Sequence, residues 1–267
     1  LFGTNNSKVC EVFLWNYLDM NLIDNDFVTK KSNVLDFNFI SVDKNQKIIS
    51  FKSGDWTVTK SIHIPKGFHI ILKDDTRLDL INSASIISYS PLYLEGSIEN
   101  PIVIKSSDST GQGIFVLNTN ERSILNHVNF KNLSNPSKNG WELSGAITFY
   151  NAEVSIKNCI FYNNIKGDDY LNIISSKFNI ENTTFNNVFS DAFDGDFCNG
   201  SILDSEFVNC GNDAIDISGT NINLENIIIN SIGDKALSVG EKSRLVADNI
   251  TIENSEIAVC SKDHSKV

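Results

Sequence analysis

No apolar run approaches the roughly eighteen residues that a membrane-spanning helix needs, and mean hydropathy is −0.12. No secretory leader is visible at the start. Cysteine is sparse and unpatterned. The five residues, Cys10, Cys159, Cys198, Cys210 and Cys260, contain no CxxC pair, which excludes a zinc spacing and a disulfide framework and leaves buried or half-buried thiols. Basic residues fall short, 22 against 33 acidic, for a net charge of −11. A phosphate backbone wants a basic face, so no nucleic acid is expected as a partner. An anionic polysaccharide bridged by cations remains compatible. Helical periodicity is almost missing from the second half. An initiator methionine is missing too: Leu1 and the closing "SKDHSKV" read as the ends of a piece of a longer chain, with further domains expected beside it.

What is present is repetition. The 267 residues suit one elongated domain or two compact ones. In the second half, short β-branched runs recur between Asn, Asp and Gly. Segments beginning at Asp168, Ser190, Asn212, Asp234 and Glu256 align with a spacing of 22. Their third column reads Tyr170, Ala192, Ala214, Ala236, Ala258, and their fourth Leu171, Phe193, Ile215, Leu237, Val259. Further apolar columns follow in phase: Ile180, Ile202, Leu224, Val246; then Phe185, Phe207, Ile229; then Val188, Cys210, Ile232. A polar column, Asn182, Asp204, Asn226, Asp248, suggests side-chain ladders.

Several short strands in each 22-residue period predict a parallel β-solenoid, with equivalent residues stacked about 4.8 Å apart. Looser periods extend the pattern upstream. Ile147 and Ile156 precede Leu171 and Ile180 by 24 residues, "RSILNHVNF" (122–130) forms an earlier turn, and 61–106 the opening turns. The expected division is a β-helix over 55–267, preceded by residues 1–54 as an N-terminal cap or the end of another domain. Val9, Phe13, Leu14, Tyr17 and Leu18 stand there at helical spacing.

The frame also aligns acids. The second column reads Asp169, Asp191, Asp213, Lys235, Ile257; the fifth reads Asn172, Asp194, Asp216, Ser238, Cys260. With the fourth column inward, strand alternation turns the fifth outward. Two carboxylates about 4.8 Å apart repel by roughly 3–4 kcal/mol at an effective dielectric near 20. Three resolutions are open. A cation can sit on Asp191, Asp194, Asp213 and Asp216, and oxygen-only ligands suit calcium. Unequal pKa values can prepare acid–base work on a glycosidic bond, with Asp191, Asp213 and Lys235 as catalytic groups. Or the acids form a solvated stripe that salt screens, with Lys235 ending it in a salt bridge. Trp141, in the long irregular stretch 132–145, and Lys262, at the far end of the rows, are candidate substrate contacts, with a packed side chain the stronger reading of Trp141.

The 22-residue turns and Asn columns resemble the right-handed parallel β-helix superfamily of pectate lyases, polygalacturonases, alginate lyases and epimerases, and phage tailspikes. "FSDAFD" and "GNDAID" resemble the aspartate motifs on successive turns of polygalacturonases, which implies catalytic positions for Asp191 and Asp213. Asn212 replaces one acid of that pattern, and "GDK" stands where a histidine turn would be. Lyases of this superfamily use calcium on carboxylates with a Lys or Arg base, which implies such roles for the four aspartates and Lys235. Arg244 is the only arginine in the second half. "GWELSGAITFYNAEVSIKNCIF", "SDAFDGDF" and "GDKALSVGE…IAVCSKD" also resemble β-helix segments of large exported bacterial proteins, some with a CotH-type kinase-like domain. That resemblance implies an extracellular or cell-surface module binding a polysaccharide or surface glycan through a cation-bridged acidic face. The alternative is a lyase, hydrolase or epimerase acting on a polyuronate.

Overall fold

The computed structural model describes residues 30–138 and 141–267, so the helix expected around Val9–Leu18 lies outside the described residues. The all-β solenoid is present: strand accounts for 61% of the structure and helix for 1%, wound into roughly 9 turns of about 23 residues. Among the described residues the helical part is one 3-10 turn, Val34–Asp36, and no helix is long and apolar enough to cross a membrane.

Each turn contributes one strand to each of three parallel stacks. The first stack runs through Ile62–Ile64, Ile86–Ser88, Ile114–Leu117, Gly145–Tyr150, Asp169–Ile174, Asp191–Asp196 and Ile215–Ser218, then through 235–240 and 257–261. At the N-terminal end an antiparallel hairpin, Ile40–Asp43 with Ile48–Phe51, joins the second stack, and residue 55 falls inside the strand Gly54–Val58, which pairs into the third.

The inward columns explain why the chain coils this way. Phe130, Phe161, Phe185 and Phe207 lie one above another, with successive ring centroids 4.8, 4.5 and 4.8 Å apart, all fully buried. Rings at strand spacing stack offset, and each such pair adds about 0.5–1.5 kcal/mol beyond its area burial. Cys210 is buried in line with Val188 and Ile232, as its column requires.

Corners explain the asparagines. Each corner needs a residue in the left-handed region, which Asn tolerates best after Gly. One corner carries Asn158, Asn182, Asp204, Asn226 and Asn249, all with φ between 47° and 55°. Their side chains form the expected ladder: Asn182 donates to Asn158 Oδ1 at 2.6 Å, Asn226 to Asp204 Oδ1 at 2.8 Å, and Asn249 to Asn226 Oδ1 at 2.7 Å. Gly113 serves a different need: with φ +71°, a side chain there would run into the Ala146 carbonyl.

The last turn departs from the uniform spacing of 22. Leu224 pairs with Ala247, not Val246, and the ladder continues through Asn249, not Asp248. Glu241 and Lys242 are both left-handed where earlier turns spend one such residue, Phe197 or Gly219. The extra residue pushes Val246 out to 49% exposure, and an irregularity between Ile232 and Lys235 returns the register to 22.

Candidate functional site

The acids lie on the first stack in the register that their columns require. Asp169 faces Asp191, Asn172 faces Asp194, Asp194 faces Asp216, and Asp216 faces Ser238. Phe193 and Ile215 point inward and are fully buried. The solvated stripe is the expectation that fails. Asp169, Asp191 and Asp213 are only 2, 6 and 2% exposed, and Asn172 and Ser238 are buried as well. Part of the cover comes from the irregular segment before Gly145. Asn135 donates its side-chain amide to the Leu143 carbonyl at 2.8 Å, its backbone N–H reaches the Lys166 carbonyl, and the Asp169 backbone N–H donates to the Ser144 carbonyl at 3.2 Å. Asn135, Glu142, Leu143 and Ser144 then form one wall of a cavity of about 560 Å³ that opens beside Asp168, with Phe189 across it.

Hydrogen bonds satisfy some of these carboxylates and leave others bare. Asp191 Oδ1 accepts from the Asn212 amide and the Asp213 backbone N–H, both at 2.7 Å. Asp213 Oδ1 accepts from the Lys235 backbone N–H at 2.9 Å and lies 3.4 Å from Lys235 Nζ. Asp194 Oδ2 accepts from the Asn172 amide at 2.8 Å. Asp169 Oδ2, Asp216 Oδ1, Asn172 Oδ1 and Ser238 Oγ are buried with no hydrogen-bond partner. A buried polar group left unpaired costs about 1–3 kcal/mol, and four in one cluster call for a proton or a ligand.

Burial pushes Asp191 up to about 6, helped by the neighbouring Asp213 and Asp168 charges and opposed by its two hydrogen bonds. Burial also raises Asp169 and Asp194, with flanking carboxylates adding to both. Asp196 and Asp213 rise for the same first reason, though Lys235 pulls Asp213 back. Lys235 itself is raised, chiefly by its bond to Asp234 and then by Asp213. These five acids therefore take up protons more readily than ordinary carboxylates, and the ammonium keeps its own.

The chain matches no model of a known protein family and no curated protein. The chemistry of the rows rests on their own geometry.

Two triads can offer carboxylate oxygens within 4.8 Å of one another: Asp191, Asp213 and Asp216, and Asp168, Asp169 and Asp191. Clustered acids able to hold a metal ion are thus present, with Asp191 common to both sets. Asp194 belongs to neither triad and is tied to Asn172 instead. Trp141 packs edge-on against Phe115, centroids 5.9 Å apart, beside Leu143. Lys262 is exposed at the end of the rows, its stem against Gly240.

Four contributors escape the column argument. Asp168 occupies the first column and was legible there, but only its neighbours Ser190 and Asp169 show that it belongs to the site. Asp234 is the closest partner of Lys235. Phe189 and Phe197, on either side of the strand Asp191–Asp196, are 59 and 64% exposed, and no periodic signal marks them.

Proposed function

We propose that this chain is an exported or surface-borne β-helix module of a longer protein, and that it engages a polysaccharide through a calcium ion held on its acidic rows. The observation that carries the reading is the triad Asp191, Asp213 and Asp216, whose oxygens converge within 4.8 Å while Asp216 Oδ1 lies buried without a partner. Oxygen-only ligands of this kind suit calcium, which tolerates irregular geometry and six to eight donors. A cation would offset the mutual repulsion of these carboxylates, and would leave outward ligand positions for uronate carboxylates or sugar hydroxyls. The cavity beside Asp168 and the exposed rings of Phe189 and Phe197 supply room and apolar faces for a sugar next to it.

The test is thermal unfolding with calcium and with a chelator. Calcium at one hundred times its dissociation constant adds about 2.7 kcal/mol, a rise of a few degrees for a chain of this size. Asp213→Asn/Asp216→Asn removes that rise. An unchanged melting temperature across calcium concentrations would end the cation reading.

A second reading, polyuronate cleavage, is favoured by one feature. Proton-holding acids, Asp191 raised to about 6 among them, stand beside the Lys235 ammonium near Asp213. Lys235, raised by its acidic neighbours, keeps its proton and is cast as the acid, and the base falls to a carboxylate that has lost its proton, Asp191 above about pH 6. Incubation with polygalacturonate or alginate, followed by ultraviolet absorbance for a lyase double bond and reducing ends for hydrolysis, decides it. Silence in both assays leaves the binding role.

A further inference from the structure

The turn that carries Asp191 and Asp194 breaks two corner columns at once. At the corner before the strand Asp191–Asp196 the 22-residue frame reads Gly167, Phe189, Gly211, Gly233; at the corner after it, Ser175, Phe197, Gly219, Glu241. One turn spends both corners on phenylalanine, and both rings are exposed. The fold asks for neither. All four residues of the second column are left-handed, and Phe197 takes φ 54° there, a conformation uncommon for a bulky side chain and far easier for Gly or Asn. The next turn leaves the ring its space: a Cβ at Gly219 would come within 2.6 Å of Phe197 Cδ1. Each ring also walls a cavity. Phe189 stands in the hollow of about 560 Å³ with Asn135, Lys166 and Ser190. Phe197 stands in another, of about 390 Å³, with Asn151, Ser175, Lys177 and Asn199. Lys177 and Asn199 pair on adjacent strands, one rung apart.

We propose that the ligand is an acidic oligosaccharide of several sugars lying along the strand Asp191–Asp196, with one sugar stacked on Phe189 and another on Phe197; this rests on polysaccharide engagement by the acidic rows. From residue 189 to residue 197 the extended backbone spans about 26 Å at most, more than a disaccharide bridges. A sugar ring has an apolar C–H face and a rim of hydroxyls. The exposed phenyl ring takes the face, and the amides and hydroxyls of the cavity wall take the rim. The lysine in each cavity, Lys166 or Lys177, suits the carboxylate of an acidic sugar. Between the two ends lie the buried acids, where a cation would hold the middle of the chain. A path along the solenoid axis is closed on one side, because Trp141 and Leu143 pack over Phe115 and Ile87 on the same face.

The experiment is isothermal titration of galacturonate and mannuronate oligomers, a trimer and a hexamer of each, into the full chain in calcium. We expect at least about tenfold tighter binding of a hexamer than of its trimer, a smaller preference in Phe189→Ala and in Phe197→Asn, and none in the double variant. Asn suits the left-handed corner, so Phe197→Asn removes the ring and keeps the backbone. Phe197→Tyr keeps a ring and should keep the preference. The proposal falls, and polysaccharide engagement stands, if the parent binds trimer and hexamer alike, if the double variant keeps the preference, or if Phe197→Tyr loses it. If no oligomer of either series binds, both fall together.

Discussion

In the turns before residue 150 the outward column of the first stack reads Ile87, Phe115 and Thr148; in the turns after it, Asn172, Asp194, Asp216 and Ser238. The backbone is the same, and so is the register. In the earlier turns the column is a second small core: Ile87 and Phe115 are fully buried, with Trp141 and Leu143 packed on them. In the later turns the same positions are filled by acids and amides, several with buried oxygens that nothing satisfies. The inward columns suffice to make the solenoid, as the unbroken phenylalanine stack shows, so the outward column is free to serve something else. Where it is apolar, it stabilises. Where it is acidic, it costs stability unless a cation or protons are present, and a structural stripe has no reason to bear that cost.

The comparison breaks most visibly by truncating the same column in each half. Phe115→Ala removes a fully buried ring and should cost about 3–5 kcal/mol in chemical denaturation. Asp216→Asn, two rungs past Asn172 on the same line, removes a charge and leaves an amide that can donate; without cation it should be neutral or stabilising. Equal losses at the two positions would mean that both halves are ordinary core.

That contrast was only half legible in the sequence. The constant spacing of 22 aligned equivalent positions on successive turns, so the pairings of Asp169 with Asp191 and of Asp194 with Asp216 and then Ser238 could be read directly. Alternation correctly sent Phe193 inward. What alternation cannot say is whether an outward side chain meets water. Asp169 is covered by Ser144, which lies 25 positions earlier and outside the repeat. Spacing also failed where two left-handed residues, Glu241 and Lys242, replaced one. The Lys235–Asp234 pair was hidden because neighbours on a regular strand face opposite sides. It forms at the register shift between Ile232 and Lys235, where that rule lapses.

A smaller effect sharpens the same contrast through pH. Asp191, Asp169 and Asp194 titrate higher in the folded chain than the ordinary carboxylate near 3.8, so the folded state holds protons that the unfolded state has lost. Their stabilising contribution is complete below about pH 4 and is lost as pH rises through about 6 and beyond. Without cation, stability should therefore fall from pH 5 to pH 8. Asp194→Asn should flatten the decline and leave the chain more stable at the upper end, because it removes a carboxylate whose ionised form burial and the flanking acids disfavour. Calcium should reduce the decline, because at Asp191 it takes the place of the proton, and should leave the part due to Asp194. Stability that rises over this range would show the acids to be solvated or paired already.

The corner ladder is the control, since it runs through the same turns as the acidic rows without touching them. Asn182 has φ 47° and donates to Asn158; Asn226 has φ 54° and donates to Asp204. Replacement by Gly keeps the left-handed backbone and loses the donated side-chain bond at Asn182 and two bonds at Asn226, where Asn249 also donates, about 0.5–1.5 kcal/mol each. Replacement by Ala loses the same bonds and also strains the backbone, so it should cost more at both sites. The order Ala below Gly below Asn should hold at Asn182 and Asn226 alike, unchanged between pH 5 and pH 8 and unchanged by calcium, because neither side chain touches the acidic rows. A cost at Asn226 that moved with calcium would mean that the corner and the rows are one coupled unit, and that the scaffold is not independent of the chemistry it carries.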